Sequence, residues 1–556
     1  MSVLNENQLL GASAAGGDYE IEQSLRFDDG SDTYLSRTPS VAGNRKTWTW
    51  SGWVKRGNLG SSTYYCFYGV DGVSPNDRTE FVFTADAFEI YEEVSSTAKI
   101  SLKTTQLFRD PSAWYHVVIA MDTTQATNTN RVKFYVNGEQ VTSFSASTYP
   151  SLNYDTFTNS AKVHVLGARR YADGTTNKFL DGYLAEVNLI DGQALTPDSF
   201  GETGDYGEWK PTKYAGTYGT NGFNLKFENA SSLGNDSNGS NNWTPTNLAA
   251  TDQMVDSPTN NFATLNPLWT GSAVTLSEGN CKAIITNYQS SSSGTQYVSS
   301  GKRYFEVLAA AQSSTGNQFF IGVSKDNSDP TTDPFSDTGV YGYYGGTGNK
   351  RNNSNVAYGA VYTTGDLISV ALDLDAGTLT FYKNGVSQGE AFSGLSGSFS
   401  LFIGSGSSGA TITEIANFGA DSSFAGNKTP QGNQDANSVG DFFYPVPNSY
   451  LALCTSNLPE VDVIPSEHFN TVLYSGTGST QSITGVGFQP DMFWAKTRNA
   501  VDSHALLDSV RGGENFLYPN LTDAEWTDGG VTYYIGYDSD GVTLNGAGSS
   551  YNLTGR

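Results

Sequence analysis

Apolar and polar side chains alternate singly along most of this chain, which is the period of a half-buried strand and not of a helix. In "NRVKFYVNGEQV", Val132, Phe134 and Val136 fall on one face and Lys133, Tyr135 and Asn137 on the other. "GTLTFYKNGVSQ" repeats the pattern, with Leu379 and Phe381 opposite Thr380 and Tyr382. Each run meets Asn-Gly, the dipeptide that best tolerates the two positive φ angles of a type I′ turn, so each predicts strand, tight turn, strand. A further strand ending in Asp precedes each, "WYHVVIAMD" and "DLISVALDLD". The near-repeat of FYVNG (134–138) in FYKNG (381–385), with matching upstream strands, predicts one hairpin used twice, in the core sheets of two separate sandwiches. Hardly any stretch has an apolar 3.6-residue period; "SHALLDSVRGG" (Ser503–Gly513) is the best candidate for one short helix.

Strand patterns recur from Leu25 to about Phe227 and again from about Phe262 to Ala420. The expected organisation is an arm over 1–24, a sandwich over 25–230, a linker over 231–262 and a second sandwich over 263–420. A Pro-rich connector over 421–465 and a third β-rich module over 466–556 follow. The linker rests on the Gly/Ser/Asn-rich "SSLGNDSNGSNNWTPTNLAATD". The fold class is all-β, tandem β-sandwiches with a third module that stops in mid-pattern.

Composition narrows the function. A chain of 556 residues suits three to four domains at roughly 150 residues each. Charged residues make up 16%, below the usual ~25%, while 61 glycines fit short strands joined by turns. A net charge of −25 without any basic cluster argues against a nucleic-acid partner. Polar uncharged residues with Tyr and Trp are the composition of surfaces that meet neutral polar molecules such as sugars, although a well-solvated acidic surface has the same make-up. The scattered Cys66, Cys281 and Cys454 predict neither a disulfide framework nor a zinc site. No basic-then-apolar leader opens the chain and no run of about 18 apolar residues occurs, so no signal peptide and no membrane insertion are expected.

Several stretches carry family resemblances. "WTWSGWVKR", "WYHVVIAMD", "VKFYVNGEQV" and "FLDGYLAEVNLIDGQALT" resemble the laminin-G/concanavalin-like lectin sandwich. "SGKRYFEV", "FIGVSK", "GDLISVALDLDAGTLTFYKNG" and "NFG" resemble a SPRY domain. "GFQPDMFWAKTRN" with "DSHALLDSVRGG" is similar to an uncharacterised module of marine phage tail proteins, whose pattern continues past residue 556. "GGDYEIEQSLRF" is of the kind that opens cyanophage tail-fibre proteins. These resemblances imply a non-enzymatic virion protein, a tail fibre or host-contact appendage assembled in the host cytoplasm. It would bind cell-surface glycan or protein through its sandwiches and be a homo-oligomer, a trimer by analogy with tail fibres. A decoration or connector protein binding other virion subunits is the alternative, and a glycan depolymerase the least favoured reading.

Candidate chemistry is sparse. Concanavalin-like sandwiches include glucanases, whose paired carboxylates stand ~5–5.5 Å apart, but no E-x-D-x-(x)-E run occurs in 25–230. Glu460, Asp462 and Glu467 lie in the connector, interrupted by Pro465, and Ser503, His504 and Asp508 are neighbours in sequence without a nucleophile elbow. His116, in "WYHVV", reads as a hydrogen-bonded strand histidine. For ligand binding, "VYGYYGGTGNKRNNSNVAYG" gathers Tyr341, Tyr343, Tyr344, Asn349, Arg351 and Asn352 on a Gly-rich frame, aromatic faces and planar polar groups suited to sugars; inward-packed tyrosines on a turn are the competing reading. In the arm, Leu9, Leu10, Tyr19 and Ile21 are the apolar contacts expected to anchor other virion proteins. No cofactor is expected save calcium, which the lectin-like resemblance implies, with Asp28, Asp29 and Asp32 as ligands and Asp173 and Asp181 in a second acidic loop.

Overall fold

A computed structural model describes residues 19–60, 64–313, 317–406, 410–459, 463–527, 535–545 and 551–554. Among these the regular elements are strands and short 3-10 turns, without an α-helix. Both Asn-Gly words form the hairpins they predict: Asn137 and Gly138 have φ of 47° and 82°, Asn384 and Gly385 of 49° and 78°. The likeness extends to side chains. The Asn137 amide donates to the His116 carbonyl (2.9 Å) and its side-chain oxygen accepts from the His116 amide (2.8 Å). Asn384 does the same with Leu367, both at 2.8 Å. Each asparagine thus closes the end of the strand before its own.

The first sandwich stacks two eight-stranded antiparallel sheets. One places Trp114–Asp122, Thr47–Arg56, Gly182–Asp191 and Ser24–Phe27 side by side; the other places Thr97–Leu107, Ala87–Val94, Arg78–Thr84 and Tyr64–Asp71 side by side. Their inner faces meet in an aromatic core that includes Trp48, Trp50, Phe67, Phe81, Phe88 and Phe134, with Phe88 stacked on Phe134 at 4.4 Å. The second sandwich stacks two seven-stranded sheets, one carrying Phe319–Lys325 and Val340–Tyr344, the other Lys302–Gln312, Leu367–Asp373 and Ile412–Asn417.

Three expectations need correction. The stretch 231–262 is not a free linker. Leu233 and Trp243 complete the first core, Thr244–Thr246 and Gln253–Met254 are edge strands of its two sheets, and Phe262 is buried in a cluster with Tyr304 and Phe442. Its polar letters serve turns, while Leu233, Trp243, Met254 and Phe262 are buried. Of the Pro-rich stretch 421–465, residues 421–459 are likewise packed, the Phe443 and Tyr444 amides donating to Glu306 at 2.8 and 2.9 Å. "SHALLDSVRGG" holds a strand, Ala505–Asp508, paired with Met492–Ala495; Ala505 and Leu507 are buried, period two rather than 3.6.

The chain divides into two compact units, 1–204 with 209–460 and 205–208 with 461–556. Both sandwiches belong to the first. Between them Arg26, 1% exposed, pairs with Asp421 (2.8 Å), Asp252 (3.2 Å) and Glu278 (3.5 Å). Lys55 donates to Asp256 (2.6 Å), Asn261 (2.7 Å) and the Phe262 carbonyl (2.8 Å). Buried cations of this kind persist only when paired, so they fix how the two sheet pairs meet. In the second unit, short strands including Gln481–Thr484, Gly541–Leu544 and Ile535–Asp538 enclose Ile483, Leu507, Phe516 and Val542.

Candidate functional site

The tyrosine-rich loop does not present a binding surface. Val340–Tyr344 is an interior strand of its sheet, covered on both faces. Tyr343 is 0% exposed, its ring among Tyr362 (4.9 Å), Tyr358 (5.3 Å) and Phe381 (5.4 Å). Tyr344 is buried with its hydroxyl on Gln318 (2.7 Å), and Tyr341 packs on Phe392 and Phe399. Arg351 lies 4.0 Å over the Phe335 ring. Asn352 donates to the Thr338 and Val340 carbonyls, and Asn349 to Asn355. The predicted groups do come together, but Tyr343, Tyr344, Asn349 and Asn352 spend side-chain polar atoms on bonds within the fold.

The expected anchors divide likewise. Leu9 and Leu10 lie outside the described residues. Ile21 is buried with Trp53, Trp114, Tyr183 and Met254, and Tyr19 packs on the same cluster. The Ile21 amide and carbonyl both bond the Thr259 hydroxyl (3.1 and 2.9 Å). These two side chains belong to the sandwich, because a flat tryptophan-lined sheet face offers them more burial than solvent does.

The acidic loops converge. Asp28, Asp29 and Asp181 each bring an oxygen within 4.8 Å of the other two. Asp32 is not among them; it is exposed on the turn with φ 54°. Burial pushes the Asp181 carboxyl well above its usual range and raises that of Asp29, with the charge of Asp29 adding at Asp181 and that of Asp28 at Asp29. Asp173 caps its own turn, accepting from the Thr175 amide (2.8 Å).

A further patch covers the outward face of the second sheet of the first sandwich. On Arg78–Thr84 and Ala87–Val94 the apolar Phe81, Phe83, Phe88 and Ile90 point into the core. The alternate positions Arg78, Glu80, Glu89, Tyr91 and Glu93 therefore share the opposite face. The hairpin of Arg169–Arg170 and Thr176–Asn177 adds Arg169 and Tyr171. Arg78 stacks over Tyr91 (5.2 Å) and Tyr171 (5.3 Å), and Arg169 over Tyr171 (4.7 Å) and Tyr64 (5.3 Å). Glu80 accepts from Tyr64 and Arg78, and Glu93 from Tyr91 (2.7 Å) and Arg78 (3.2 Å). Tyr64, Tyr91 and Tyr171 are each half-buried. Held rings flanked by guanidinium and carboxylate groups suit a flat, hydroxyl-rich ligand. The signal was the polar half of the alternation in "EFVFTADAFEIYEE", beside the apolar half that marks the strand.

His116 is buried, Trp53 stacked on it at 4.7 Å. Its Nδ1 accepts from the Trp209 indole (2.9 Å), its Nε2 lies 2.9 Å from the Ser51 hydroxyl, and burial takes it down to about 3. His504 accepts from the Trp494 indole (3.1 Å) while Asp508 pairs with Arg511 (2.6 Å). Glu460 and Asp462 lie outside the described residues.

Residues 29–199 match the family model of the concanavalin A-like lectin/glucanases superfamily, 302–420 that of the SPRY domain, and 464–556 that of a domain of unknown function, DUF7483. Among solved structures, the SPRY domain of human HERC1 is similar at 19% identity, over 27% of this chain and 96% of that one, with a TM-score of 0.25. The heptameric SAP-like pentraxin from Limulus polyphemus is similar at 14% identity, over 32% of this chain and 80% of its own, with a TM-score of 0.25. The TRIM65 PSpry domain follows at 17% identity, over 28% and 91%, with a TM-score of 0.22. The chain therefore carries a concanavalin-like lectin domain and a SPRY domain, both β-sandwiches of a kind that suggests binding.

Proposed function

We propose that this protein is a non-enzymatic host-contact appendage of a phage virion, of the tail-fibre kind, that binds cell-surface glycan through its first sandwich. The observation that carries the binding part is the Tyr64, Tyr91 and Tyr171 face. Its rings are held by Arg78 and Arg169, on a domain matching the lectin-like family. The carboxylates there are engaged, Glu80 by Tyr64 and Arg78 and Glu89 by Ser101 (2.9 Å), an arrangement for holding a ligand rather than cleaving it. The virion part rests on the resemblances of the opening and closing segments. Residues 1–18, with Leu9 and Leu10, are the segment proposed to join other virion proteins, in a homotrimer. A glycan array probed with the full chain tests the binding reading, and release of reducing sugar from the bound glycan would overturn its non-enzymatic half. Deleting residues 2–18 should leave a folded protein absent from particles; normal incorporation would move attachment elsewhere.

A further inference from the structure

Lys55 is the only lysine buried among the described residues. It stands on the strand Thr47–Arg56 of the first sandwich, and its side chain ends among groups of the segment that leads into the second. The Nζ lies 2.6 Å from Asp256 Oδ2, 2.7 Å from Asn261 Oδ1 and 2.8 Å from the Phe262 carbonyl. An ion pair accounts for the first of these contacts. The second sets a primary amine against a side-chain amide, whose carbon is one bond from the oxygen it touches.

The surroundings hold these groups in place. Asp256 is 1% exposed, and its Oδ1 accepts from the Trp114 indole (3.2 Å) and from the Phe262 amide (3.2 Å). The Asn261 side-chain nitrogen donates to the Ser112 carbonyl (2.6 Å), which turns its oxygen toward Lys55. The Asn261 backbone is clamped to Thr455, its amide on the hydroxyl (2.9 Å) and its carbonyl accepting from the amide (3.0 Å). The Tyr183 ring lies 5.7 Å from the Lys55 nitrogen. An amine, a carboxamide and a carboxylate thus share one pre-set site largely closed to water, the arrangement that turns a slow bimolecular encounter into an internal step.

We propose that Lys55 and Asn261 join in an isopeptide bond, with Asp256 as the acid–base catalyst. A lysine amine is a nucleophile once it has given up a proton, and Asp256 Oδ2 is in place to take it. The freed Nζ attacks Asn261 Cγ and a C–N bond forms between them. The bond from Cγ to Nδ2 breaks as a second proton from Nζ passes through Asp256 to that nitrogen, which leaves as ammonia. The first proton stays on Asp256, so charge balances and nothing is oxidised or reduced. An ion pair is replaced by a neutral amide and a neutral acid, which a dry site holds at less cost than two charges. Escape of ammonia to solvent makes the step one-way. The product is a covalent tie between the first sandwich and the segment entering the second, one that survives when denaturant strips the ion pairs.

The test is the intact mass of the denatured full chain, followed by proteolytic peptide mapping. We expect a mass below the sequence value by one ammonia, and a branched peptide that joins residue 55 to residue 261. Lys55→Arg keeps a cation for Asp256 but no amine nucleophile, and Asp256→Asn removes the base; each should return the full mass. The wild-type mass and map decide by themselves should either variant misfold. An unshifted wild-type mass overturns the proposal. So does an ammonia loss that maps to an Asn-Gly turn such as Asn137–Gly138, a succinimide rather than a link, or a loss of water with Lys55 joined to Asp256.

Discussion

Glu414 sits where an apolar side chain belongs. Its neighbours at two-residue spacing, Ile412 and Ala416, face the core of the second sandwich, and Glu414 is 0% exposed. Burial holds its carboxyl well above the usual range, so the folded protein keeps the proton there. A raised folded-state pKa contributes stability below the unfolded value and loses it as pH climbs through the folded one. Glu414→Gln should therefore raise the melting temperature at pH 8, by the equivalent of about 1–3 kcal/mol. At pH 5 the wild type already carries the proton and the variant should change little. Equal melting of the two proteins at pH 8 would show that Glu414 has a charge partner. Glu306 acts in the same direction: four donors hold it, yet burial still takes it up to about 7. Its share of stability is full below about pH 4.5 and fades through neutrality, which urea titration of Glu306→Gln against wild type across that range would register.

At the scale of elements, the repeated FYxNG word is a three-strand device. The asparagine supplies both the left-handed turn and a side-chain acceptor for an amide near the start of the preceding strand. The glycine admits an aromatic lid, since a Cβ on Gly138 would stand 2.5 Å from Trp209 and one on Gly385 2.9 Å from Tyr444. Asn137→Ala and Asn384→Ala should each cost about 1–2 kcal/mol in urea unfolding. Gly138→Ala, strained in φ and clashing with a ring, should cost more than Asn137→Ala; the reverse order would mean that the lid moves freely. Such strands were legible in the sequence because one face is buried and the other wet. Val340–Tyr344 was not, because cover on both faces turns alternate tyrosines alike into core. The run ALLD in 505–508 is too short for its period to separate strand from helix. Asp28 and Asp181 each stood out in a loop of their own, but their meeting depends on pairing between Ser24–Phe27 and Gly182–Asp191, which local pattern does not encode.

At the scale of the whole molecule, both sandwiches fall in one compact unit, joined by buried ion pairs. A fragment ending at residue 230 lacks Leu233, Trp243 and Met254 and leaves Arg26 and Lys55 without Asp252, Asp421 and Asp256. We expect residues 25–230 alone to aggregate and residues 19–459 to melt in one transition, with Lys55→Met losing about 3–5 kcal/mol because Asp256 stays buried and unpaired. Two separate transitions for 19–459 in calorimetry would contradict this. The fused pair leaves the Tyr64, Tyr91 and Tyr171 face on its own sheet, clear of the residues that make the seam. The most direct measurement is binding of the full chain to immobilised bacterial surface glycans, beside a Tyr91→Ala/Tyr171→Ala double variant. We expect the wild type to bind and the variant, melting at the same temperature, to lose at least about tenfold in affinity, the equivalent of one lost stacking contact. No glycan held by the wild type, or equal affinity in a folded variant, would contradict the proposal that this face is where the protein meets its ligand.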